Sequence, residues 1–282
     1  MREIEAQGGV AAPGPPGQRP RGGSPPSEQT GRLEDRVRAR GDIKLIPYVM
    51  AGYPDHARSI AQGLAYARAG AAAIEVGIPY SDPLADGPVV QRAGQVALAN
   101  GTTLRSALQV AASVAEGGAP VVVMTYVNPI LAFDERRFAA ETARAGVAGV
   151  IIPDLPAAEA QPMAGWLRSA GLDTIFLVAP TSPDSRIADI AEQSSGFVYC
   201  VTLKGVTGAR AELASGLSQL LGRVRQATDL PLAAGFGISR PEHVRTLRGH
   251  ADAAVVASAL LDRVHRDEDP LELAEELLAA CR

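Results

Sequence analysis

Eight short apolar runs recur along the chain, at 44–50, 72–77, 120–125, 148–152, 174–179, 197–202, 231–235 and 253–257, each five to seven residues long. Most are rich in Val, Ile and Ala and are apolar on both faces. A strand of that kind must be covered on both sides, as when helices line one face of a parallel sheet and packed side chains the other. The intervals supply the helices, expected over 56–69, 104–117, 135–145, 158–169, 184–193, 211–227 and 241–248. In the second of these, Leu104, Ala107, Leu108, Ala111, Ala112 and Ala115 fall at spacings of three and four, leaving Arg105 and Glu116 outward. Thr103 suits its N-cap, Pro183 and Asp184 the start of another helix, and Gly70, Gly146 and Gly171 the left-handed ends of three more.

Strands alternating with helices in this number predict an α/β fold, a closed (β/α)8 TIM barrel, with a doubly wound open sheet as the competing arrangement. The barrel is expected to be a single domain over 31–282, because no later linker is rich enough in Pro and Gly to divide it. Active sites of such barrels are built from the loops that follow the strands. The two longest connections, 77–102 and 203–211, are therefore read as substrate coverings. Residues 1–30 hold six Pro and six Gly and bury little apolar surface, so they are expected to be a disordered extension or the product of a start codon chosen too far upstream, with a docking tail as the lesser reading.

Composition narrows the chemistry. Lys and Arg number 27 against 31 Asp and Glu, and aromatics make up 4% of the 282 residues. Neither the charge nor the stacking surface that nucleic acid or an anionic membrane would require is encoded. No apolar run approaches the ~20 residues that span a bilayer, and the first 30 residues have no signal-peptide centre. Cys200 and Cys281 are the only cysteines, which fits a reducing, cytoplasmic compartment. His56, His243, His250 and His265 have no metal-ligand spacing, and no phosphate-cradling Gly-rich Lys motif is present, so no metal or cofactor is expected in this chain.

Glu75 sits in the second run, Ala72-Ala73-Ile74-Glu75-Val76-Gly77, among apolar neighbours. Burial there raises a carboxyl pKa, which suits a general acid or proton shuttle; a structural carboxylate accepting backbone hydrogen bonds fits the position equally well. The segment Gly77 to Pro88 that follows carries three Pro and two carboxylates, Asp82 and Asp86, without helical or strand period. It reads either as a preorganised catalytic loop or as a plain surface loop. Tyr199 in the sixth run can donate into a pocket or simply pack, and Cys200 beside it reads as an apolar filler. Gly208, Gly235-Phe236-Gly237-Ile238-Ser239 and Ala257-Ser258-Ala259 follow the sixth to eighth runs, where backbone N–H groups and a short helix start can form a phosphate cup.

Together these motifs closely resemble tryptophan synthase alpha chains, over about Leu33 to Leu278. The most specific stretch is Ile74 to Pro88, supported by Tyr48 to Pro54, Met124 to Pro129, Pro153-Asp154-Leu155-Pro156, Gly205 to Gly208 and Gly235 to Ser239. The resemblance implies cleavage of indole-3-glycerol phosphate to indole and D-glyceraldehyde 3-phosphate. It makes Glu75 the acid/base that protonates indole C3, and Asp86 the partner of the indole N–H. Tyr199 then lies beside the acid, and Gly208, Phe236, Gly237 and Ser258 surround the substrate phosphate. Thr207 becomes a partner of Asp86, Asp82 and Pro83 part of a covering loop that communicates with a beta chain, and Asp154 a residue that positions loops. The implied partner is the pyridoxal phosphate-containing beta chain, in an alpha2-beta2 complex. Two departures stand out: Leu203 followed by Lys204 where many members carry an arginine, and Ala257 where Gly is frequent. They leave room for a free-standing indole-3-glycerol-phosphate lyase, and the residues alone also admit an inactive phosphate-sensing scaffold.

Overall fold

The computed structural model describes residues 33–201, 210–235 and 237–282. The extension over 1–30 lies outside the described residues, as do Leu203, Lys204, Thr207, Gly208 and Phe236. Nine strands are present among the described residues: β1 (Lys44–Met50), β2 (Ile74–Gly77), β3 (Val121–Met124), β4 (Gly149–Ile151), β5 (Asp173–Ile175), β6 (Leu177–Val178), β7 (Val198–Val201), β8 (Leu232–Gly235) and β9 (Ala253–Val256). All pair in parallel, in the order β5-β4-β3-β2-β1-β9-β8-β7-β6. The ends of that row, β5 and β6, are consecutive in the chain and separated only by Phe176, whose carbonyl accepts from Tyr199 N at 3.1 Å. The fifth expected run thus occupies one staff of the barrel as two short strands, and the sheet comes round on itself as a (β/α)8 TIM barrel.

All seven expected helices form, with ends displaced by up to three residues. Thr103 caps Leu104–Ala115 in a reciprocal capping box with Ser106, and Gly70 closes His56–Ala69 at φ 101°. Five further helices had no counterpart in the expected set: Leu33–Val37, Pro88–Ala99, Val127–Phe133, Ser258–His265 and Pro270–Cys281. The second corrects the reading of 77–102 as one continuous covering. The loop proper ends at Gly87, and Pro88 opens a helix that buries Val90, Ala93, Gly94 and Ala97 at spacings of three and four. The Pro-rich stretch before it masked that period.

Strand alternation sorts the core into two shells. Ile46, Ala73, Val122, Ile151, Ile175, Phe197, Ala233, Ala253 and Val255 fill the barrel, and Leu33 and Val37 of the first helix pack onto this cluster. Leu45, Val49, Ile74, Val76, Val121 and Val123 face outward to the helices. At the base, the buried Asp252 carboxylate accepts from Ala39 N at 3.1 Å, Leu232 N at 2.8 Å and Arg225 Nη2 at 2.5 Å. One side chain thereby joins the segment entering β1, the start of β8 and the helix Arg210–Ala227. The opposite end of the barrel is left for the site.

Candidate active site

The inward face of β2 reads Ala73, Glu75, Gly77 from base to mouth, so period-two geometry carries the Glu75 carboxyl into the barrel above its apolar filling. Glu75 is 2% exposed and lies in register with Tyr48 of β1 and Val122 of β3. Two tyrosines stand near it, Tyr48 and Tyr199 of β7, each coupled electrostatically to the carboxyl. Room for them comes from two glycines. A Cβ at Gly77 would stand 1.7 Å from Tyr48 Oη, and one at Gly235 would stand 2.9 Å from Tyr199 Oη. Both glycines are needed for close approach. The Tyr48 hydroxyl lies 3.9 Å from Met50 Sδ, a weak acceptor.

Asp86 lies near the end of the loop after β2, one residue before Gly87. Its backbone N–H donates to Pro83 O at 3.1 Å, and Gln91 Nε2 donates to the Asp86 carbonyl at 2.9 Å, tying the loop to the helix that follows. The Tyr126 hydroxyl, at the end of β3, accepts from Ala85 N at 3.2 Å and hydrogen-bonds the Asp86 side chain.

Burial separates the two carboxyl groups. Glu75 is raised to about 8, first by desolvation and then by the negative charge of Asp86. Asp86 is raised by desolvation to about 6, with the Tyr126 hydrogen bond pulling it back down. Near neutrality the mouth therefore holds one protonated carboxyl and one carboxylate. Such a pair can deliver a proton to one atom of a bound molecule while stabilising positive charge at another.

The remaining expected site residues that are described lie on the loops after the strands. Gly237, at φ 72°, follows β8, and Ser258 opens the helix Ser258–His265 after β9, where unpaired N–H groups face outward. Ala257, the N-cap of that helix, has φ −116° and needs no glycine. Asp82 is exposed and accepts from Ser81 Oγ at 2.5 Å; Pro83 lends only its carbonyl to the loop, and Leu84 projects outward at 94% exposure. Asp154 is exposed after β4, and its carboxylate accepts from Val127 N at 3.0 Å, fixing the start of Val127–Phe133. Cys200 is buried with its thiol pushed up to about 12, in keeping with an inert filler. Tyr48 and Tyr126 were not singled out as site residues from the sequence. A polar tip within an otherwise apolar strand end was the available signal, and Tyr199 shows the same signal in β7.

A parallel α/β barrel carrying an acid and a carboxylate at the C-terminal ends of its strands defines an acid–base enzyme of the (β/α)8 class. Residues 35–282 match the family model for the tryptophan synthase alpha chain. A tryptophan synthase alpha chain from Roseiflexus castenholzii is 51% identical over 233 residues, covering 82% of this chain and 89% of the relative. Among solved structures, tryptophan synthase from M. tuberculosis, in an aminoacrylate- and BRD0059-bound form, gives a TM-score of 0.81 at 36% identity over 90% of this chain and 98% of that one. A structure of the tryptophan synthase a2b2 complex from Pyrococcus furiosus gives 0.80 at 39% identity, over 85% and 99%. The chain belongs to the tryptophan synthase alpha chain family. Neither the free-standing lyase nor the inactive scaffold finds support in these likenesses.

Proposed function

We propose that this chain is the carbon–carbon lyase of its family, cleaving indole-3-glycerol phosphate to indole and D-glyceraldehyde 3-phosphate. The observation that carries this reading is the split between Glu75, raised to about 8, and Asp86, raised only to about 6. Protonated Glu75 gives its proton to indole C3, and ionised Asp86 stabilises the positive charge this places on the ring and its N–H. The Glu75 carboxylate then takes the proton of the glycerol hydroxyl next to the ring. The C–O double bond forms, the carbon–carbon bond breaks, and its electron pair returns to the ring. Glu75 ends protonated, ready for the next turn. Without prior protonation the ring would have to leave as a carbanion, which is why the acid step comes first.

In this reading Tyr199 packs beside the acid, and Gly208, Phe236, Gly237 and Ser258 hold the phosphate, with the N-terminal N–H groups of Ser258–His265 contributing. Asp82, Pro83 and Thr207 belong to the coverings through which a beta chain is sensed, and Asp154 positions loops. The partner is the beta chain of an alpha2-beta2 complex in tryptophan biosynthesis, and pyridoxal phosphate belongs to that partner. Residues 31–282 form the catalytic domain, 1–30 an appended extension, and the compartment is the cytoplasm. Among the described residues no helix is long and apolar enough to cross a membrane.

The test is product detection from indole-3-glycerol phosphate, with and without a cognate beta chain. Intact protein should release indole, faster with the partner, and Glu75→Gln should fall by about 10³-fold or more, within the range of a lost general acid–base. Equal turnover in the two proteins would remove Glu75 from this role.

A further inference from the structure

The hydroxyl of Tyr126 is a part of the mouth that the proposed mechanism does not use. It is 3% exposed and fixed on two sides. Its ring lies against Tyr80 with centroids 5.3 Å apart, and Asn128 Nδ2 donates to Tyr80 Oη at 2.9 Å. On the other side, Asp154 holds the N–H of the next residue, Val127. Loops following β2, β3 and β4 thus meet at one phenol.

The direction of its hydrogen bonds follows from counting protons. A phenol has one donor proton. Ala85 N–H donates to Tyr126 Oη, so the oxygen serves there as acceptor and its proton is left for the Asp86 carboxylate. The same atom therefore grips the backbone of residue 85, immediately before Asp86. We infer that Tyr126 is a positioning residue for the lyase reaction: its hydroxyl holds the loop backbone at residue 85 and thereby orients the Asp86 carboxylate toward the indole nitrogen. This inference rests on the role proposed for Asp86.

The groups that face Asp86 among the described residues are Glu75 from β2, Tyr48 from β1, Tyr199 from β7 and Tyr126 itself, with Asp154 behind Tyr126. Tyr126 is the member of this set whose hydrogen bond favours the charged form of Asp86. Removing its hydroxyl leaves burial unopposed.

The experiment compares wild type, Tyr126→Phe and Asp86→Asn as full chains with the beta partner, measuring kcat and KM across pH. Carboxyl ¹³C NMR titration of Asp86 in wild type and Tyr126→Phe gives a readout independent of turnover. Phe keeps the ring packing on Tyr80, so the variant should fold. The Asp86 midpoint and the acid limb of kcat/KM should both rise by about one pH unit, the size expected for loss of one hydrogen bond to a carboxylate. At neutral pH kcat should fall roughly tenfold with KM little changed, as for a misaimed group. A merely structural tyrosine would scale the amplitude and leave the limb in place. An unmoved limb, with or without an NMR shift, overturns the inference. Asp86→Asn at wild-type turnover would instead overturn the reading of Asp86, whatever the titration of Tyr126→Phe gives.

Discussion

The two ends of the barrel each bury a carboxylate and treat it in opposite ways. At the base, Asp252 accepts from two backbone N–H groups and a guanidinium. At the mouth, Glu75 is buried beside tyrosines and a second carboxyl group, and no cation among the described residues offsets its desolvation. A carboxylate gripped by donors joins elements together; a carboxyl group buried without a counter-charge takes up a proton and becomes reactive. The same functional group thus serves stability at one end and chemistry at the other, and the neighbours decide which.

The contrast is sharpest in what substitution does. Asp252→Asn should cost the largest amount of stability, about 2–4 kcal/mol, because Asn keeps only one of the two acceptor oxygens, turns an NH2 toward an N–H it cannot accept from, and leaves Arg225 without its counter-charge. The folded fraction should keep its kcat; chemical denaturation alongside active-site-normalised turnover checks both halves. A large fall in kcat per folded molecule would break the comparison.

Glu75→Gln should do the reverse, losing turnover while gaining stability. The folded pKa of Glu75 is raised, from 4.5 to about 8, so the folded state holds this proton more tightly than the unfolded chain does. The group's favourable contribution is complete below about pH 4.5 and is lost as pH climbs toward 8. Gln cannot ionise and removes that slope, for a gain of roughly 1–3 kcal/mol at pH 7. Denaturation midpoints of the two proteins between pH 5 and about 8 should therefore diverge as pH rises; parallel curves would count against a buried, protonated Glu75.

A smaller effect should follow at Asp154, whose carboxylate acts as a cap borrowed from a neighbouring loop. Asp154→Ala should lower stability by about 0.5–1 kcal/mol, as for loss of an N-cap. It should also loosen the helix Val127–Phe133 at its start, visible as faster amide exchange at Val127. Unchanged exchange there would show that the helix start does not depend on the borrowed acceptor.

Much of this was legible in the chain because barrel and site are both written locally. Doubly apolar runs spaced by amphipathic stretches name the fold, and Glu75, Asp82, Pro83 and Asp86 fall within one contiguous segment on and after one strand. Helices hidden behind proline, such as Pro88–Ala99, or near the end of the chain, such as Pro270–Cys281, were less readable, since their signal is tertiary burial more than propensity.

The amino-acid order by itself determined the strand and helix alternation, the family, and the presence of an apolar-flanked glutamate followed by a Pro-rich loop ending in an aspartate. Only the tertiary structure decided which of the two carboxyl groups holds a proton. It brought Tyr48 and Tyr126 from other strands to the pair and gave Asp154 to a neighbouring helix. It also turned Gly77 and Gly235 into clearances for two phenols. The physical reason is that desolvation and hydrogen bonding depend on distances in space, and those are set only when strands far apart in the chain close into one barrel.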